Sequence, residues 1–331
     1  GLGTAGVPRG EIAGLKIFQY HFAYLATGGH ESVGVQSSWD IKRLLGYVPV
    51  EEDGSAFFKI PANTPVAILP VDKNGAALQL FRSWFVGMPG ENVSCNGCHE
   101  SQLDVTQSIL TQASRHEPLE IQPYLGPERP ITFELDLYKR VVKKFCIECH
   151  DGSKDDRPSF ADASKAYHNI HPFVRRPGPE TDMDVLPAYE YHASTSELIQ
   201  MLEKGHHGVQ LDDEAYRLLV NWIDFNAPWR GKWGNEREAT RRLELSDLYA
   251  DGAAVDVENE YDAMLDEMRK QPDPEFVKPG PKVERKDDLG SAWAFDEAKA
   301  KELQKQALAN GAEPKKIELA DGVAIEFVRL P

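Results

Sequence analysis

Tyr138-Lys139-Arg140-Val141-Val142-Lys143-Lys144-Phe145-Cys146-Ile147-Glu148-Cys149-His150 is the stretch on which the reading of this chain turns. Tyr138, Val141, Val142 and Phe145 fall at i, i+3, i+4 and i+7, the spacing of one apolar helix face. An amphipathic helix is therefore expected to run straight into Cys146. Two thiols separated by two residues follow at once, and a histidine comes directly after them. The same pattern stands earlier in the chain, as Cys95-Asn96-Gly97-Cys98-His99. The sequence has 4 cysteines, so the two motifs use all of them.

A Cys-x-x-Cys pair by itself fits a redox disulfide or half of a zinc site. The histidine that follows both pairs favours a different chemistry. Covalent attachment of haem c needs two thiols spaced to reach both vinyl groups, and an imidazole from the same loop to bind the iron. Two haem c groups are the expectation, attached through Cys95 and Cys98 and through Cys146 and Cys149. His99 and His150 are the expected proximal iron ligands.

Outward from this stretch the character of the chain changes. Residues 14–90 read as β-rich: alternating runs at 15–24 and 56–60 are punctuated by Asp53-Gly54 and Asn74-Gly75, dipeptides suited to tight hairpin turns. Prolines between Pro61 and Pro65 confine pairing to strand ends. After the second motif, Ser194 to Glu197 reads as a capping box opening a helix through Leu198 and Leu202, which Gly205 stops. Tyr216, Leu219, Val220 and Ile223 mark another helix, closed by Pro228. The expected fold is α+β and multidomain, with a β-sandwich-like haem domain followed by an α-helical cytochrome c domain. Its divisions are 1–120 with the first haem, 121–234 with the second, a charged, partly helical linker at 235–316, and the start of a further domain at 317–331. Within the linker, residues 260–269 and 296–309 have helical character, and 317–330 alternates like a strand around Asp321-Gly322.

The remaining histidines supply candidates for the second axial position. His206 and His207 follow directly on the helix-stopping Gly205, in a turn that must cross the haem face before the next helix, expected from Leu211. One of the two is expected to ligate the second iron opposite His150, with His206 favoured because it leaves more chain before that helix. Met201, one turn back, is expected to point into packing beside Leu198, and Met183 lies farther away. A His/His pair lacks the methionine that raises the potential of many cytochromes, and so implies a lower-potential haem. His168, His171 and His192 are secondary candidates as ligands or propionate partners, and Arg175 and Arg176 could offset propionate charge. Trp222 and Trp229 read as core and haem packing. For the first haem, His21, His30 and Met88 are candidates beside an open sixth position.

A formal charge of -16 disfavours surfaces that track nucleic acid or anionic lipid, and suits a redox partner with a basic surface. Hydrophobic residues make up 41% of the chain, enough for more than one core, yet no run reaches the ~18 apolar residues of a membrane helix. Attachment of haem c implies an exported protein, periplasmic or extracellular, whose leader has been removed or lies upstream. An oligomer or a larger complex is compatible with the sequence. The first functional reading is electron transfer between the two covalent haems.

Several segments carry a family resemblance. Trp39-Asp40-Ile41-Lys42, Val48-Pro49-Val50-Glu51-Glu52-Asp53-Gly54, Ile60-Pro61-Ala62-Asn63-Thr64-Pro65, Arg82-Ser83-Trp84 and Met88-Pro89-Gly90-Glu91 resemble the middle domain of the hydrazine synthase alpha subunit. His171-Pro172, Arg175-Arg176-Pro177-Gly178, Tyr191-His192 and Gly205-His206-His207 are similar to that family's C-terminal cytochrome domain. The resemblance spans about residues 1 to 234. It implies an alternative reading: an enzyme whose first haem is a five-coordinate catalytic site for a small nitrogen or peroxide substrate. In that family a tyrosine shortly after the first motif is an iron ligand, whereas Glu100, Ser101, Gln102 and Leu103 follow His99 here. The end of the chain, 317–330, resembles the opening strand of formylglycine-generating-enzyme-like domains.

Overall fold

The computed structural model describes residues 6–21, 33–34, 41–80, 83–95, 110–174, 188–190, 192–231, 253–280, 315–318 and 324–327. By contact density the chain forms two units, Gly1–Val283 and Glu284–Pro331.

Three strands dominate the first part: β1 (Gly14–His21), β2 (Ile41–Pro49) and β3 (Val66–Val71). With the two-residue β4 (Arg129–Pro130) they make one antiparallel sheet in the order β3-β1-β2-β4. The β1–β2 register slips between Ile17 and Phe18, where Ile17 pairs Gly46 and Phe18 pairs Leu44. Leu45 is thus the extra residue of a β-bulge, and a bulge re-aims side chains at the point where it sits. Ile17, Leu45, Val48 and Val66 form a small core on one side of the sheet, while Phe18, Tyr20, Leu44, Ala67 and Leu69 join the main core. The two turn dipeptides behave as their residues demand, with Gly54 and Gly75 both at φ +80°.

A sandwich-like domain was the expectation; among the described residues this part of the chain shows one four-stranded antiparallel sheet and no second sheet facing it. Where a second sheet would lie, the small core is covered by irregular chain: Ala56, Phe58 and Ile60 on one side, Leu119 and Ile121 on the other. Residues 56–60 alternate as a strand should, yet they pair only through a Phe58–Leu119 bridge. Pro61, which has no N–H to donate, ends any continuation of that ladder.

The helical part begins with α1, whose first section, Phe133–Val142, is wound as a π-helix and continues as ordinary helix over Lys143–Phe145. Thr132 caps it through its side chain, and the buried Asp136 accepts from Thr132 N at 3.0 Å and pairs with Arg129 at 2.6 Å. α2 (Ala163–Ile170), α3 (Glu197–Glu203) and α4 (Asp213–Asp224) follow. Asp162, Ser196 and Asp212 cap these three helices by accepting a backbone N–H. The α3 cap is therefore Ser196 rather than Ser194, and α4 starts at Asp213 rather than Leu211. α2 was not foreseen at all. The sheet face and α1, α2, α3 and α4 share one continuous core, with Phe133, Tyr167, Ile199, Leu218 and Trp222 essentially inaccessible.

α5 (Ala253–Lys270) falls where a helix near residue 260 was expected. The helical stretch expected at 296–309 lies outside the described residues. In the second unit, β5 (Lys315–Glu318) pairs antiparallel with β6 (Ala324–Phe327), on either side of Asp321-Gly322. No helix among the described residues is long and apolar enough to cross a membrane.

Candidate functional site

α1 ends in the second motif. Cys146 N still bonds back to Val142 O at 2.9 Å, and the motif then turns tightly, with Cys149 N and His150 N both returning to Cys146 O at 3.2 and 3.1 Å. This turn sets both thiols and the imidazole at one end of the helix. They open onto a cavity of about 500 Å³, within the roughly 300–1,000 Å³ typical of cofactor sites. Its wall is largely apolar: Phe133, Leu137, Val141 and Val142 from α1, Ile170 at the end of α2 and Phe173 just beyond it, Leu198 and Leu202 from α3, Leu219 and Trp222 from α4.

His150 is held on both sides. Its Nδ1 lies 2.8 Å from Pro158 O, and Phe160 stacks on the ring at 4.3 Å and 17°. With the carbonyl as acceptor, Nδ1 carries the proton and Nε2 keeps its lone pair for a metal, the usual outer-shell device for a ligating histidine. Across the cavity stands His206, its ring centre 6.2 Å from that of His150 and the two planes inclined by only 21°. An imidazole nitrogen sits ~2.0 Å from a metal that it ligates. Two rings ligating one ion from opposite sides thus have centres about 6 Å apart, matching the pair. Burial first, then the neighbouring His207 and His150, lowers the His206 pKa and favours the neutral, ligating form.

His207 also lines the cavity, but its ring stands at 81° to that of His206 and the residue is exposed. Of the two, His206 is the one whose ring lies near and almost parallel to that of His150. Met201, expected to be buried in packing beside Leu198, lines the cavity together with that residue, because the inward face of α3 is the cavity wall. His168, His171 and His192 do not line it. His168 is exposed and bonds Ser164 O at 2.8 Å, whereas His192 is buried with 1% of its surface accessible. Trp222 is inaccessible and donates Nε1–H to Pro228 O at 2.9 Å, and Trp229 stacks with Phe133 at 5.8 Å. Both tryptophans thus take the packing roles foreseen for them.

The chemistry of the donors separates the possible occupants. Burial pushes the Cys146 thiol up to about 12, which is opposite to the depressed pKa of a redox-active Cys-x-x-Cys. Among the described residues no three His, Cys, Asp or Glu side chains converge as they would on a bare ion. An apolar cavity with thiols at one edge and two opposed imidazoles fits a flat, largely apolar group carrying its own metal. The residues thus fit a covalently attached haem, which Cys146 and Cys149 would attach and His150 and His206 would flank.

Sequence reasoning passed over several parts of this site: Pro158, Phe160 and the Asp156–Arg157 pair that also lines the cavity. A proline eight residues beyond the second thiol-histidine step was the available signal. The first motif is described only as far as Cys95, which is exposed. Cys98, His99, His30, Arg175, Arg176 and Met183 lie outside the described residues. His21 ends β1, and Met88 is exposed.

Residues 10–100 match the family model of the hydrazine synthase alpha subunit middle domain. That span holds β1 to β3 and the first motif in full. Among solved structures, hydrazine synthase from Kuenenia stuttgartiensis superposes with a TM-score of 0.53 at 17% identity, covering 69% of this chain and 40% of that one. At such identity the likeness is one of fold. The chain spans about two fifths of that protein, and the second site lies beyond the segment matched by the family model. No curated protein matches the chain. The chain is thus related to the hydrazine synthase alpha subunit at the level of fold, in a mixed α+β architecture.

Proposed function

We propose that this hydrazine-synthase-like chain carries two c-type haems, the first a reactive centre for a small nitrogen or peroxide substrate and the second an electron relay serving it. The observation that carries the reading is the His150–His206 pair set across an apolar cavity beside Cys146 and Cys149. The family match over residues 10–100 supports the reactive role of the first haem, which Cys95, Cys98 and His99 would hold. A relay-only reading is favoured by one feature: Glu100 to Leu103 stand where the family has its ligating tyrosine.

Bound in the cavity, haem c supplies a one-electron couple. The chain's residues suit that task by fixing geometry. Pro158 O orients His150, burial favours the neutral form of His206, and the wall around the two rings is largely apolar. Two imidazoles and no thioether ligand favour a low potential. A protein of this kind is exported to the periplasm or beyond, and the charge of -16 suits a basic redox partner, whether met transiently or within a larger complex.

The test is the ferric spectrum of the purified holoprotein. One low-spin haem that ignores cyanide, together with one high-spin haem that binds cyanide or nitric oxide, is the expected result. Two low-spin haems inert to both ligands would leave the relay-only reading. In either case His206→Ala should turn one low-spin haem high-spin and raise its potential.

A further inference from the structure

We infer that residues 271–280 form a strap that positions the His206 turn against the cavity, with the Gly280 amide as its fastening. The inference rests on the haem reading of that cavity.

The strap grows out of α5, which is itself anchored on α1. Leu265 packs on Leu135, with Met264 and Met268 beside them. Arg269 pairs with Glu134 at 3.3 Å. Lys139 Nζ donates to Met268 O at 3.0 Å and to Gln271 O, so a cation closes the C-terminal end of α5. The chain then follows α1 toward the motif. Lys143 pairs with Asp273 at 2.6 Å, and Val277 N donates to Lys144 O at 2.8 Å, two residues before Cys146. Finally it crosses to the opposite wall, where Gly280 N donates to Gly208 O at 2.9 Å, two residues after His206. The strap thus ties the helix end that carries the attachment cysteines to the turn that carries the opposed histidine.

That turn benefits from a tie. Val209 N closes it on His206 O at 2.9 Å, and its central residues have φ +49° at His207 and +82° at Gly208, right after Gly205 at +93°. Positive φ at both central positions is the pattern of a type I′ turn, and histidine adopts it far less readily than glycine. The conformation that presents His206 is therefore one the local sequence disfavours, and the Gly280 hydrogen bond braces its far side. Releasing the brace should let the turn relax and open the sixth position to an outside ligand.

The full-length holoprotein tests this through carbon monoxide binding to the dithionite-reduced form, followed by stopped flow. His206→Ala identifies the fast phase that belongs to the second haem. Gly280→Pro removes the amide donor, whereas Gly280→Ala keeps it and adds a Cβ at an ordinary 3.7 Å from Gly208 O. Asp273→Lys, which sets a cation against Lys143, loosens the strap by an independent route. The expected result is that Gly280→Pro and Asp273→Lys gain the His206→Ala phase at rates at least tenfold above wild type, with a rise in the high-spin ferric band, while Gly280→Ala binds as wild type does. If His206→Ala gains the phase and neither strap variant does, the strap inference is overturned and the haem reading stands. If His206→Ala gains no phase, the distal assignment falls and the inference falls with it.

Discussion

Lys16 lies in the middle of β1 with no accessible surface. Its Nζ donates to Gly75 O at 2.5 Å and sits 4.8 Å from the centre of the Tyr124 ring. Burial lowers its pKa from 10.5 to about 8, partly offset by Asp224 and Asp72, with Arg217 adding to the lowering. In the unfolded chain the amine stays protonated up to its ordinary pKa, while in the folded protein it releases its proton near 8. Between those limits the unfolded state binds more protons, so stability must rise with pH across that window and be level below it. A difference of 10.5 against about 8 corresponds to roughly 3 kcal/mol. Lys16→Met abolishes the contribution. Urea unfolding followed by far-UV circular dichroism at pH 7.5 and at pH 10 should show the wild type gaining stability on the variant by roughly 2 kcal/mol, less than the full amount because pH 10 stops short of the upper limit. Tyr47 and Tyr124, whose pKa values burial raises, are present in both proteins and largely cancel in the difference. An unchanged gap between the two proteins at both pH values would refute the reasoning, because Lys16 would then titrate alike in both states.

Arg129→Met leaves Asp136 as a buried carboxylate without its main cation, and should cost about 3–5 kcal/mol in urea unfolding; a loss below 1 kcal/mol would mean that the amide of Thr132 and Arg140 suffice. Ala227, buried after α4 at φ +49°, should be replaceable by glycine with a gain of about 1 kcal/mol, read as a rise in the unfolding midpoint, since the left-handed conformation penalises a Cβ. Phe160→Ala removes the ring stacked on His150 and should lower the stability of the holoprotein by about 3 kcal/mol in the same assay.

What could be read from the sequence follows the physics of each element. The helix ending at Cys146 was legible because its buried stripe repeats at the helical period, and the π-winding of residues 133–142 leaves enough of that stripe to be seen. The winding itself was not legible, since π- and α-helical turns place apolar residues at nearly the same spacing and differ in which carbonyl each N–H reaches, as where Leu137 N bonds Thr132 O. Residues 56–60 suggested a further strand because they alternate, and alternation reports two faces without saying what covers each; among the described residues they join no sheet. α2 was missed because eight residues give barely two turns of period, though Asp162 before Lys165 is a cap signal. Met201 was misplaced for a related reason: an apolar helix face looks the same in sequence whether it meets side chains or a cavity. The turn after α3 was legible because Gly205, at φ +93°, stops that helix.

The most direct measurement is peptide mass spectrometry of the protein produced with a cytochrome c maturation system. After denaturation and proteolysis, the peptide holding Cys146 to His150 should carry one haem through both cysteines, the peptide holding Cys95 to His99 should carry another, and the intact chain should exceed its polypeptide mass by two haem groups. A Cys146–Cys149 peptide recovered with two free thiols, or with a disulfide and no added mass, would contradict the haem assignment of the cavity.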